Sequence, residues 1–158
     1  MKLSVMDDNL GFWVRRLFAC RVFIACHPAD VTFREDLRHH LFSLSMKHKL
    51  KIRDEKDAPF GVDKELKIKE FVSDSDVLLM LLSVDFQSDE TLFNLYWTNK
   101  KKDAIVIPIQ IKDCIPRPEI KGLNMTPTVP INKAPDKDEA FTKVVLALEK
   151  VFENHFRS

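Results

Sequence analysis

Glycine is scarce in this chain, with three in 158 residues. That excludes a Gly-rich phosphate loop of the GxGxxG or GxxxxGK type, which needs backbone that can approach a phosphate closely. Cysteine is equally sparse. Cys20, Cys26 and Cys114 are odd in number and lack CxxC spacing, which argues against a disulfide framework and against a cysteine zinc site. A reducing cytoplasm is the expected setting. No apolar run approaches the roughly 18 residues needed to cross a bilayer, and the early acids Asp7 and Asp8 break any signal-peptide pattern. Excess charge is missing too: 25 Lys and Arg stand against 24 Asp and Glu. Such a balance offers no electrostatic footprint for nucleic acid.

What remains is an ordinary globular composition, 45% apolar and 31% charged, of a length that fits one domain. The most telling segment is Val77 to Leu82, six apolar residues in a row. An unbroken run bounded by polar residues suits a strand buried on both faces of a parallel sheet. Ligands in such sheets gather outside the carboxyl ends of the strands, so the loop at Ser83 is a natural place for function. Arg21 to Cys26 is a first strand, ended by His27-Pro28. Leu50 to Arg53 is a shorter second one. Ala104 to Ile111 is a further run, with Pro108 pointing to an edge position. Between them, Phe33, Leu37, Leu41 and Leu44 fall at helical spacing. Asp63 can cap a helix bearing Leu66, Phe71 and Val72, and another helix runs from about Asp89 to Asn99. The span 112 to 135 holds five Pro and reads as a long connection with a short strand near Val129 to Ile131. Asp138 can start a last helix with Phe141, Val144, Val145, Leu148 and Phe152 on its apolar face. Strands alternating with helices predict an α/β fold around a parallel sheet. Leu10, Trp13, Val14, Leu17 and Phe18 form an apolar stripe on one more predicted helix, placed in an N-terminal extension over residues 1–20, which either packs on its own domain or docks a partner protein or a membrane surface. The main domain is expected over 21–158.

The order of these pieces resembles the Toll/interleukin-1 receptor (TIR) domain in its bacterial form. FIACHPAD matches the family's opening strand and the Asp that follows, here Asp30. DEKDAPFG, residues 54–61, matches its charged BB loop ending in Pro-x-Gly. Ser83 and Phe86 match Ser-x-x-[FY] after the central strand, and Ser88-Asp89-Glu90-Thr91 stands where bacterial members read S-D-Y-C. Val106 to Ile109 is a strand of the V-I-P-I type, and Asp138-Glu139-Ala140 opens the last helix. The resemblance spans about residues 21 to 154. It implies a flavodoxin-like fold with a central parallel sheet of about five strands flanked by helices. It also implies self-association, or binding of a partner protein, through the BB loop, with Asp57, Pro59, Phe60 and Gly61 as the assembly residues. A signalling or immune role of the anti-phage defence kind follows from it.

Many family members cleave the nicotinamide–ribose bond of NAD+, and some form cyclic ADP-ribose isomers. The resemblance therefore implies NAD+ as a possible substrate or ligand, with no required cofactor. A carboxylate can stabilise the oxocarbenium-like ribosyl centre. The family's Glu lies three or four residues past the Cys position, which here gives Asn94 or Leu95, neither of them an acid. Asn94 can only hydrogen-bond a hydroxyl. Asp89 and Glu90, one turn or more earlier, are the acids that could substitute, Glu90 being the candidate catalytic residue, although both also suit the helix N-terminus electrostatically. Cys26, His27, Asp30 and Ser83, at the carboxyl ends of two strands, are the candidate NAD+ contacts. No Cys lies near His39, His40 or His48 in the sequence, and no metal site is expected. A nucleotide-binding relative of the same sheet topology is a third possibility.

Overall fold

The computed structural model describes residues 20–155. The apolar stripe from Leu10 to Phe18 lies outside the described residues. Four strands, β1 (Cys20–Ala25), β2 (Leu50–Arg53), β3 (Val77–Leu82) and β4 (Ile105–Gln110), pair in the order β2-β1-β3-β4. All three pairings are parallel. The helices are α1 (Val31–His40), α2 (Phe42–His48), α3 (Lys64–Asp74), α4 (Val84–Ser88), α5 (Glu90–Asn99), α6 (Pro118–Lys121) and α7 (Lys137–His155).

β3 follows the predicted bounds and lies between β1 and β4 with every residue buried. Its side chains alternate between two apolar layers, as the pleat requires. Val77, Leu79 and Leu81 pack with Leu37, Leu41 and Leu44 of the α1–α2 segment and with Phe141, Val144 and Leu148 of α7. Leu78, Met80 and Leu82 pack on the other face with Phe71 and Val72 of α3, Phe86 of α4, and Phe93 and Tyr96 of α5. A strand sandwiched this way has no solvent face, which is why its sequence shows no alternation.

The expected fifth strand near Val129 to Ile131 does not form, and the described sheet has four strands rather than about five. Its place is taken by a single parallel bridge between Ile109 and Thr126, and Ile131–Lys133 is a 3₁₀ turn. The chemistry is plain: Pro127 and Pro130 cannot donate ladder hydrogen bonds. Gln110 N still donates to Thr126 O at 2.9 Å, and Thr126 N to Pro108 O at 3.2 Å. Pro108 itself sits on β4 at the edge of the four-stranded sheet, where its missing N–H is tolerated.

Smaller departures concern helix ends. The single helical pattern over Phe33 to Leu44 becomes two segments that meet at Leu41, with Ser45 N still bonded to Leu41 O at 2.8 Å. Lys49, in left-handed backbone at φ 54°, stops the second segment. The last helix is capped by Asp136 rather than started by Asp138: Asp136 Oδ1 accepts from the N–H groups of Asp138 and Glu139 at 3.0 and 3.2 Å. Leu66, expected on the packed helix, is more than half exposed.

Candidate functional site

β1 and β3 are neighbours, while the chain leaves β1 toward β2 on one side and β3 on the other. The loops after these two strands therefore meet outside the carboxyl edge, at the point where the winding reverses. Asp30 is the hub there. Its carboxylate is fully buried, accepts from Ser83 Oγ at 2.5 Å and accepts from Lys112 Nζ at 2.7 Å. Ser83 also caps α4 by accepting from Phe86 N at 3.1 Å. One hydroxyl thus couples the loop after β1 to the start of α4. The Asp30 hydrogen bond holds the Lys112 ammonium above its ordinary range. A buried carboxylate needs such a partner.

His27 caps the 3₁₀ turn Pro28–Asp30, its Nδ1 accepting from Ala29 N at 3.0 Å. A neutral ring so used carries its proton on Nε2, which lies 3.7 Å from Asp89 Oδ2. Cys26 is buried, and burial pushes its thiol up to about 12. It packs as a small apolar group with no thiolate character.

The structure splits the helix acids. Asp89 caps α5 by accepting from Leu92 N at 3.0 Å. It also lines a cavity of about 530 Å³ together with Glu55, Lys64, Glu65, Ile68, Thr91, Leu92, Leu95 and Tyr96. Glu90 is not among the lining residues. It pairs with Arg117 at 3.1 Å, whose guanidinium lies 4.1 Å over the Phe93 ring. Asn94 is exposed and off the cavity, whereas Leu95 is on it. The cavity's carboxylates come instead from Glu55, Glu65 and Asp89, three different elements. Glu55 lies 3.5 Å from Arg34 and 3.4 Å from Lys64.

The BB-like loop has a rigid root and a bare tip. At the root, Asp54 and Asp57 form a reciprocal capping box, with Asp54 Oδ1 accepting from Lys56 N at 2.7 Å and Asp57 Oδ2 from Asp54 N at 2.9 Å. Arg38 Nη1 bridges both carboxylates at 2.6 and 2.8 Å. Arg34, almost wholly buried, lies 3.4 Å from Asp54 through Nε. Burial alone would lower the Arg34 pKa, but hydrogen bonding to Glu35 and the Asp54 charge hold it above the ordinary value. At the tip, Phe60 is fully exposed, and Val62 is about half exposed. Gly61 takes φ +83°, the left-handed region that side chains resist.

Asp57 therefore belongs to the root, and Pro59, Phe60 and Gly61 to the tip. Asp30 and Ser83 are brought into contact, with His27 alongside. Sequence reasoning missed Lys112, although it follows β4 at the same carboxyl edge and the rule that singled out Ser83 applies to it. It also missed Arg34 and Arg38, whose i,i+4 spacing on α1 was the available signal. No metal site was expected from the spacing of the histidines along the chain. In the fold, His48 lies beside Glu149 and Glu153 of α7, their donor atoms within 4.8 Å of one another. Among the described residues, no helix is long and apolar enough to cross a membrane.

No family model matches the sequence. An uncharacterized protein, y4lF of Sinorhizobium fredii, is 28% identical over 137 residues, covering 82% of this chain. This chain spans 42% of that protein's length. The solved TIR domain of the Toll-related receptor TRR-2 from Hydra magnipapillata superposes with a TM-score of 0.55 at 16% identity, covering 82% of this chain and 97% of that one. With its parallel sheet, its helices on both faces and this match, the chain has the fold of a TIR domain.

Proposed function

We propose that this chain is a signalling or immune-type module that works by assembling with further copies of itself through the BB-like loop. The carrying observation is Phe60, a fully exposed aromatic held at the tip of a loop whose root is locked by buried ion pairs. Large exposed aromatics on fixed backbone are the usual anchors of protein interfaces, because little ordering entropy opposes their burial. Val62 and Leu66 extend the apolar surface along the same stretch of chain. The test is sedimentation of the purified protein across concentrations. Self-association that Phe60→Ala abolishes supports the proposal, and a Phe60→Ala variant that assembles like the parent sinks it.

One observation favours a second reading, cleavage of NAD+ at an atypical site. The cavity beside α5 is within the size range of small-molecule sites, roughly 300–1,000 Å³, and its acids could oppose a ribosyl cation. Glu55 and Asp89 would then do what Asn94 and Leu95 cannot. Nicotinamide release from NAD+, measured with the assembled protein, tests this. Release above background that falls in Glu55→Gln supports it, and none under assembling conditions removes it.

A further inference from the structure

α2 ends at His48 because Lys49 adopts left-handed backbone, and α7 runs past that end. His48 Nε2 comes within 3.3 Å of Glu149 Oε2. Glu153 is the next residue on the same face of α7, one turn further on. Donor atoms of His48, Glu149 and Glu153 all fall within 4.8 Å of one another. His48 lies 101 positions from Glu149, so only the fold brings the imidazole to the i,i+4 pair of acids on α7.

One feature sets it apart from an ordinary surface ion pair. The His48 ring is mostly buried and packs near Phe152, centroids 6.4 Å apart, so its direction is set by the core. Its hydrogen-bond distance to Glu149 is also one that two ligands of a shared ion can keep. Zinc bonds of about 2.0–2.2 Å to nitrogen and oxygen, meeting at a tetrahedral angle, put the two donors about 3.3–3.5 Å apart.

We propose that His48, Glu149 and Glu153 bind a divalent first-row transition ion of the zinc class, pinning the end of α2 to α7. One imidazole and two carboxylates supply three ligands, and water completes a tetrahedron. The set suits zinc, and its nitrogen donor disfavours magnesium or calcium, which take oxygen ligands. Lys47 is the built-in competitor, its ammonium 3.0 Å from Glu149 Oε2. The ion must displace that contact, so removing the ammonium strengthens binding.

The test is a calorimetric titration of the chelator-treated protein with zinc chloride, alongside thermal melts. One ion binds per chain and Tm rises. Glu153→Gln, a mild change on an outer turn, weakens binding at least about tenfold, as does His48→Gln, and both remove the Tm rise. Lys47→Gln tightens binding. His39→Ala leaves it unchanged. The proposal is overturned if zinc does not bind stoichiometrically, if Glu153→Gln and His48→Gln bind it like the parent, or if His39→Ala abolishes binding.

Discussion

Replacing Asp54 with Asn tests the locked root of the BB-like loop. Asn keeps the shape and an acceptor for Lys56 N. It loses the charge facing Arg38 at 2.6 Å and Arg34 at 3.4 Å. Asp54 is fully buried and Arg34 nearly so. Breaking a buried pair from one side costs about 3–5 kcal/mol, because the other charge is left without compensation. Here Arg34 keeps Glu35 and Glu55, and Arg38 keeps Asp57. The lower end applies, about 3 kcal/mol, which for a domain of this size is a fall in Tm of about 6–12 °C. Urea unfolding with an unchanged m-value measures it. The same variant should also weaken the proposed self-association, since the loop that presents Phe60 has lost its anchor. A stability loss under about 1 kcal/mol would refute the reasoning. So would full assembly despite a large loss, because the root would then be irrelevant to the tip.

Other outcomes follow from the same structure. Leu79→Ala empties a fully buried site at the centre of the sheet and should cost about 2–5 kcal/mol in urea unfolding. Burial pushes the Cys20 and Cys26 thiols up to about 12, so a thiol reagent at neutral pH should modify half-exposed Cys114 first and the other two only on unfolding. Asp57 is held below its ordinary 3.8: burial raises it, but the Arg38 hydrogen bond and the Asp54 amide outweigh burial. A depressed carboxyl contributes stability that is intact above its unfolded value and lost as pH falls through its folded value. The deficit of Asp57→Asn relative to the parent, measured by urea unfolding, should be constant from neutral pH to about 5 and shrink below 3.8.

The sheet was legible because its central strand is buried twice over. Val77 to Leu82 needs no partner to be recognised, and the caps Asp63 and Asp89 announce their helices locally. The missing fifth strand was misread from the apolar residues around Pro130, where proline chemistry outweighs side-chain hydrophobicity. Asp30 and Ser83 were visible as neighbours because adjacent parallel strands bring their carboxyl ends together. The cavity acids were legible only in part. Asp89 stood out at the head of α5, but Glu55 and Glu65 come from two other elements, and the count along α5 that ends at Asn94 and Leu95 cannot see side chains from across the groove. The His48 cluster was hidden for the same reason, its acids lying over a hundred residues away.

Phe60 is proposed to present an interface between copies of this chain, and analytical ultracentrifugation of the parent and Phe60→Ala at matched concentrations is the decisive measurement. The parent should grow in size with concentration. The variant should remain a monomer with an unchanged melting temperature, because Phe60 makes no core contact to lose. Identical size distributions for the two proteins would contradict it.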